Sequence, residues 1–304
     1  MTTDKNKIIN GLKKIENLTV NLNVPLKNYT TMQVGGPADI FLIPDKISAL
    51  QRALSTIGNY NIPLVVLGRG SNIIAADSGF RGIIVYTGQL NKTRITKSII
   101  EAEAGVKLSH LTEKALNAEL SGLEFAAGIP GTIGGALYMN AGAYGTEMSD
   151  IVVETLLLDS DGQYLKLDNN QLNFSYRHSI LQEKQLTAAR ILLRLKPGNR
   201  NEIAARMKKL KKKRNRKQPL QWASAGSAFK RPSGNYAGHL IEKAGLKGTR
   251  IGDACVSEKH AGFIINRGNA SARDLQKLFK LVQKKVDETS GVKLEPEPKF
   301  IGDF

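Results

Sequence analysis

The sequence predicts an α+β protein made of a larger module with two subdomains and a smaller C-terminal α+β domain. Three observations predict it. Short strand-like and helix-like segments alternate from about residue 37 to residue 195. Two glycine-rich stretches interrupt that alternation without the polar composition of linkers. Pro197 and Gly198 then mark a boundary before a last block with helices of its own. The expected division is 1–198, with subdomains of about 1–88 and 89–198, and 199–304.

Taken in order, residues 1–25 read as a helical lead-in. Residues 37–44 read as a strand that ends at Pro44, with Asp45 placed to cap a helix bearing Ile47, Leu50, Leu54 and Ile57 on one face. Leu64 to Leu67 is a short apolar run that stops at Gly68, expected as a buried strand, and Ile83 to Tyr86 is another. Ile99 to Ala104 predicts a strand, and Leu108, Leu111 and Ala115 a helix that Gly122 ends. Segments 151–158 and 163–167 flank Ser160-Asp161-Gly162, a hairpin signal, and Ile191 to Leu195 predicts a further strand. In the last block Ile203, Met207 and Leu210 form a narrow apolar stripe on an otherwise basic helix. Ser271 and Asp274 make a capping-box start for a helix carrying Leu275, Leu278, Phe279, Val282 and Val286, which Gly291 ends.

Composition narrows the setting. With 41% hydrophobic and 23% charged residues, the chain is ordinary globular protein. Its one cysteine, Cys255, allows no intramolecular disulfide and fits a reducing compartment. The polar N-terminus lacks the apolar region of a signal peptide, and no apolar run approaches the roughly 20 residues that span a bilayer. A cytoplasmic protein without a membrane partner is expected. The net charge of +17 calls for an anionic partner, whether nucleic acid, an acidic surface or a phosphorylated small molecule. No acidic residue occurs from Ile203 to Ile241, but the basic run at 206–217 lacks interleaved aromatics for stacking on bases. It therefore reads as a solvated helix face, nucleic-acid binding stays a distant alternative, and no nucleic-acid partner is expected.

The commonest nucleotide fingerprints are absent: there is no Walker-type phosphate loop and no strand followed by the dinucleotide glycine pattern. No H-E-x-x-H or C-x-x-C occurs, and His110, His178, His239 and His260 show no ligand spacing, so no metal is expected. Two other glycine loops remain. The first is Gly68-Arg69-Gly70-Ser71-Asn72, directly after a strand. Its backbone N–H groups can approach a phosphate closely, and Ser71 and Asn72 add side-chain donors. A strand-end turn explains it equally well. The second is Gly128-Ile129-Pro130-Gly131-Thr132-Ile133-Gly134-Gly135-Ala136, continuing through Asn140-Ala141-Gly142-Ala143-Tyr144-Gly145. Alone it reads as a glycine-rich packing segment. Together the two loops favour a cofactor with a pyrophosphate.

These loops carry a resemblance. Thr31-Met32-Gln33-Val34-Gly35-Gly36-Pro37-Ala38 and the two glycine loops resemble the FAD domain of UDP-N-acetylenolpyruvoylglucosamine reductase, a fold of the vanillyl-alcohol-oxidase type. The similarity continues through Ser175-Tyr176-Arg177-His178-Ser179, Gly226-Ser227-Ala228-Phe229-Lys230-Arg231-Pro232 and Leu294-Glu295-Pro296-Glu297, and so covers roughly residues 25–304. The separation of Arg177 from Ser227 is too short for the extra tyrosine loop of some members, so the chain resembles the shorter class. It departs from the family pattern at Arg231, where many members have asparagine, at Pro298, where a β-branched residue is usual, and at Trp222-Ala223, where an aromatic followed by proline is usual.

The resemblance implies non-covalent FAD on Gly68, Arg69, Gly70, Ser71, Asn72, Gly128, Ile129, Pro130, Gly131, Thr132, Gly134 and Gly135. It implies NADPH as co-substrate and a UDP-sugar as substrate, met by Tyr176, Arg177 and Lys230. The implied reaction reduces the enolpyruvyl ether of UDP-N-acetylglucosamine to UDP-N-acetylmuramate for peptidoglycan, in a monomeric protein. Hydride adds to the methylene carbon, and negative charge spreads onto the neighbouring carbon and the carboxylate. Fixed donors aimed at that charge are the main contribution expected of the protein. Arg177 suits the carboxylate, because a guanidinium is permanently charged and can bond through two N–H groups. Ser227 is the implied proton donor, and Glu297 the implied partner that stabilises the developing enol. Read without the resemblance, Arg177 is an ion-pairing residue, Ser227 a small loop residue and Glu297 a surface carboxylate. Another flavin-dependent oxidoreductase of the same fold, such as an alcohol oxidase, is the nearer alternative.

Overall fold

The computed structural model describes residues 2–304. The chain forms two compact units, each made of three stretches: residues up to Leu22, Ile40–Arg69 and Gly82–Lys212 in the first, and Asn23–Asp39, Gly70–Arg81 and Lys213–Phe304 in the second. Neither unit is a single continuous block of sequence.

In the first unit, helix α1 (Thr2–Lys13) buries Ile8, Ile9 and Leu12 beside Leu50, Ala53, Leu54 and Ile57 of α2 (Ile47–Gly58). These residues cluster with Ile40, Leu42, Ile83 and Val85 of a four-stranded sheet ordered Leu18–Pro25, Pro37–Pro44, Phe80–Tyr86, Leu64–Leu67. A five-stranded antiparallel sheet follows, ordered Tyr164–Asp168, Val152–Leu158, Thr187–Arg194, Ile99–Glu103, Thr93–Thr96. Helices α3 (Leu108–Asn117) and α4 (Ile133–Tyr138) pack with it around a core that includes Leu111, Ile133, Leu137, Ile191 and Leu193. Helix α5 (Arg200–Lys217) lays Ile203 and Met207 against Ala127 and Leu116.

The second unit holds α6 (Ala237–Lys243), α7 (Ala272–Ser290) and a small antiparallel sheet ordered Ala223–Ser224, Ile264–Asn266, Ala254–Val256, Arg250–Ile251. Lys299–Ile301 pairs in parallel with Ile73–Ala75, tying the C-terminus to the stretch after the first glycine loop. Leu275, Leu278, Phe279, Val282 and Val286 of α7 form the centre of this core.

The α+β class and most elements stand as the sequence predicts, α7 most fully. Ser271 is its N-cap in a complete capping box with Asp274, and Gly291 closes it with φ 66°. Four expectations are corrected. The lead-in is helical only to Lys13; Leu18–Pro25 is a strand, because its apolar residues alternate at a period of two. Met1 lies outside the described residues. Asp45 does not cap α2: the N-cap is Lys46, with no side-chain bond. Leu64–Leu67 is an edge strand, with Val66 36% exposed and only Leu67 buried, since Phe80–Tyr86 covers just one side of it. Gly122 does not end α3, which stops at Asn117 with Ala118 as cap; Gly122 sits at φ 122° after the short strand Leu120–Ser121.

Candidate active site

Gly68 and Arg69, the start of the first glycine loop, lie with the second loop in the first unit, whereas Gly70, Ser71 and Asn72 belong to the second unit. A Cβ on Gly68 would collide with Oγ1 of Thr132, so only glycine fits against that side chain. Gly70, at φ 61°, turns the first loop, and its added Cβ would strike the Tyr29 carbonyl. Among the described residues the N–H groups of Arg69, Gly131 and Thr132 in the first unit have no hydrogen-bond partner, nor, in the second unit, do those of Gly70 and Ser71. Consecutive unpaired donors in glycine loops are a ready seat for a pyrophosphate. The residues present therefore fit the phosphate portion of a dinucleotide cofactor. Other members of the expected set are already engaged. Gly134 donates its N–H to Ala104 O (2.9 Å) and Gly135 donates to Thr132 Oγ1 (3.3 Å). A Cβ on Gly134 would come within 2.9 Å of the Ala104 methyl, whereas Gly135 has room. The Asn72 amide donates to the Glu297 carbonyl (3.1 Å), and its own carbonyl accepts from Lys299 N–H (2.9 Å). Gly128 closes a short turn of helix that begins at Glu124, and Ile129 and Pro130 follow it into the loop.

Tyr176 and Arg177 form the tip of a tight turn in the first unit. Ser175 and His178 exchange two backbone hydrogen bonds, of 3.2 and 3.1 Å, beneath it. Arg177 lies in the left-handed region at φ 59°, and its guanidinium stands 4.9 Å over the Tyr176 ring. His178 Nε2 pairs with Glu183 Oε1 at 3.1 Å.

In the second unit the chain from Gly226 to Lys230 runs antiparallel to 295–297. Glu297 N–H donates to Ala228 O (3.0 Å), Lys230 N–H donates to Glu295 O (2.9 Å), and Phe229 faces Pro296. This lacing sets Glu297 beside Ala228, one residue from Ser227. Phe229, buried against Phe279 with ring centroids 5.1 Å apart, anchors the segment in the core. Gly226 at φ 82° turns the chain into it. The Ser227 hydroxyl is half-buried and makes no hydrogen bond among the described residues. Lys230 Nζ lies 2.6 Å from Glu295 Oε1, so its charge is shared with a carboxylate on the neighbouring segment. The departure at Arg231 stacks its guanidinium 4.4 Å over Tyr236, and Trp222 lies under Arg267 at 5.2 Å.

His260 stands behind this segment and was missed by sequence reasoning. Ala228 N–H donates to Gly262 O (2.8 Å), and Gly262 N–H donates to His260 Nδ1 (3.1 Å). Burial holds the imidazole below its ordinary pKa, and the cations Lys217 and Lys247 push the same way. Asn140, also missed, is fully buried at φ 40° and bonds the turn that carries Arg177. Its one sequence signal is an asparagine among glycines, a residue that tolerates the left-handed region. No group of acidic, histidine or cysteine side chains suited to a metal occurs among the described residues.

Comparison with known proteins covers nearly the whole chain. Residues 38–168 match an FAD binding domain, and residues 218–301 match the family described as UDP-N-acetylenolpyruvoylglucosamine reductase, C-terminal domain. The UDP-N-acetylenolpyruvoylglucosamine reductase of Caldanaerobacter subterraneus subsp. tengcongensis is 48% identical over 93% of both chains. The chain belongs to the UDP-N-acetylenolpyruvoylglucosamine reductase family. The reductase of Lactococcus lactis subsp. cremoris is 44% identical over 96% of this chain and 98% of its own. The crystal structure of UDP-N-acetylenolpyruvylglucosamine reductase from Thermus caldophilus superposes with a TM-score of 0.81 at 36% identity, covering 94% of this chain and all of that one. As a member of this family the chain is an FAD-binding oxidoreductase with the fold the resemblance implies. No helix among the described residues is long and apolar enough to cross a membrane.

Proposed function

We infer that the protein reduces the enolpyruvyl ether of UDP-N-acetylglucosamine to UDP-N-acetylmuramate, with NADPH as reductant and FAD bound non-covalently, in peptidoglycan precursor synthesis. The observation that carries this reading is the 48% identity to a reductase of that name across 93% of both chains. Bound FAD supplies hydride relay from NADPH to the methylene carbon. The rest falls to this chain's own side chains. Arg177, fixed at the tip of its turn, grips the substrate carboxylate as charge develops on it, with Tyr176 beside it. Ser227 delivers the proton to the neighbouring carbon, which its unpartnered hydroxyl permits. Glu297, held by Asn72 and Ala228, stabilises the enol, and Lys230 contributes positive charge to the same region.

In this reading the cofactor loops belong to the functional block 1–198, with its subdomains at about 1–88 and 89–198, and Ser227, Lys230 and Glu297 to the substrate block 199–304. The enzyme works as a cytoplasmic monomer, where UDP-sugars and NADPH are found, and its basic charge attracts these two phosphorylated ligands. The test is spectroscopic. The purified protein shows a flavin spectrum that NADPH bleaches and the enolpyruvyl substrate restores. Oxygen uptake with simple alcohols and no response to NADPH would instead make it an oxidase of the same fold.

A further inference from the structure

Helix α4 connects the candidate phosphate cradle to the arginine turn. At its start Thr132 caps the helix, accepting from Gly135 N–H, and packs on Gly68. At its end the Tyr138 carbonyl accepts two side-chain bonds, from Ser179 Oγ (3.0 Å) and Gln182 Nε2 (2.8 Å). Gln182 Nε2 also donates to the carbonyl of Arg177 itself (3.0 Å). Two residues beyond α4, the buried Asn140 uses every polar atom of its side chain. Its amide donates to Glu147 Oε1 (2.8 Å) and to Ser175 O (3.1 Å), and its oxygen accepts from Ser149 N–H (3.0 Å). The turn is thus held from both sides, at Ser175 by Asn140 and at Arg177 by Gln182.

We propose that Asn140 and Gln182 are positioning residues that fix the Arg177 turn to the end of α4, and so set where the guanidinium meets the substrate carboxylate relative to the cofactor cradle. This rests on the reading of Arg177 as the carboxylate grip. Arg177 needs such support. A non-glycine residue at φ 59° is strained, and the two backbone bonds between Ser175 and His178 do not by themselves choose that tip conformation. A misplacement of about 1 Å of a positioned group can cost about 10²-fold in rate. Loss of the Asn140 bond to the Ser175 carbonyl, or of the Gln182 bond to the Arg177 carbonyl, would let the turn relax toward an ordinary conformation.

The test pairs two variants. Asn140→Asp with Glu147→Gln restores the Asn140–Glu147 bond with its polarity reversed, but leaves a carboxylate oxygen facing Ser175 O. Gln182→Met keeps the side-chain length and removes both donors. Each is expected to bleach with NADPH at the parent rate; Gln182→Met should melt within a few degrees of the parent, and the Asn140→Asp pair lower, because it sets a buried carboxylate against a carbonyl. Recovery of the flavin spectrum on adding the enolpyruvyl substrate should slow by about 10- to 100-fold. The dissociation constant of that substrate, by calorimetry, should rise several-fold. In an Arg177→Ala background the same changes should alter recovery by less than about twofold, because residues acting through one another are not additive. Normal recovery in both variants, or equal slowing with and without Arg177, overturns the proposal. Arg177→Ala recovering at the parent rate overturns the arginine reading and this one with it. A slow Arg177→Ala beside normal Asn140 and Gln182 variants overturns this one alone.

Discussion

At the scale of single residues, the chemistry turns on side chains whose environments differ more than their types suggest. Ser227 follows a glycine at φ 82°, and its hydroxyl makes no hydrogen bond among the described residues. If it donates the proton, its role begins only after hydride has left NADPH. Ser227→Ala is therefore expected to leave bleaching by NADPH near normal and to slow recovery by about 10²–10⁴-fold. Stopped-flow measurement of the two halves separates these; equal slowing of both would make the serine structural. His260 acts through pH. Its imidazole is neutral in the folded protein, accepting from Gly262 N–H at Nδ1, and burial keeps it below its ordinary value of about 6.5. The unfolded chain takes up the proton as pH falls through that value, while the folded chain resists it. Stability contributed by neutral His260 is thus fully present above about pH 6.5 and is lost on acidification towards the lowered folded value. Melting temperature against pH should fall more steeply between pH 7 and 5 for the parent than for His260→Asn, which keeps an acceptor that does not titrate; parallel curves would remove His260 from this role.

At the scale of elements, α5 and α7 show how differently sequence pattern can be spent. Helix α7 has both caps and a continuous apolar face, and each is used as the pattern dictates. Helix α5 buries only Ile203 and Met207, while Lys211, Lys212 and Lys213 are exposed. Exposed charges in water contribute little individually. Changing these three lysines together to glutamine should leave the melting temperature within a few degrees and turnover within about tenfold of the parent. A larger loss of turnover at moderate salt would show that this face takes part in binding one of the anionic ligands. Salt titration reads the difference, because such attraction is screened over about 10 Å at 0.1 M.

For the whole molecule, the reading requires that the cofactor be held by backbone donors and shape, without a covalent bond. In that reading the grip comes from the loop N–H groups that have no partner among the described residues. Acid precipitation should accordingly move all yellow colour into the supernatant, and chromatography should identify it as FAD. Colour left on the pellet, or FMN in solution, would contradict the cradle assigned here.

The sequence by itself determined the class, the hairpin at Ser160–Gly162, the capped helix α7 and the family, because each is written in neighbouring residues or in short motifs kept in order. It also marked Arg177, Ser227 and Glu297 as a set to weigh. Only the tertiary structure decided what surrounds them. Asn72 reaches Glu297 across 225 positions, and Asn140 reaches Ser175 across 35. The strand at Leu18–Pro25 is set by its place in a sheet as much as by its alternation, and the compact units draw on separated stretches of chain. The physical reason is common to all of these. A buried polar group must find a partner wherever the fold brings one, and the period of a helix or strand carries no record of which distant residue that will be.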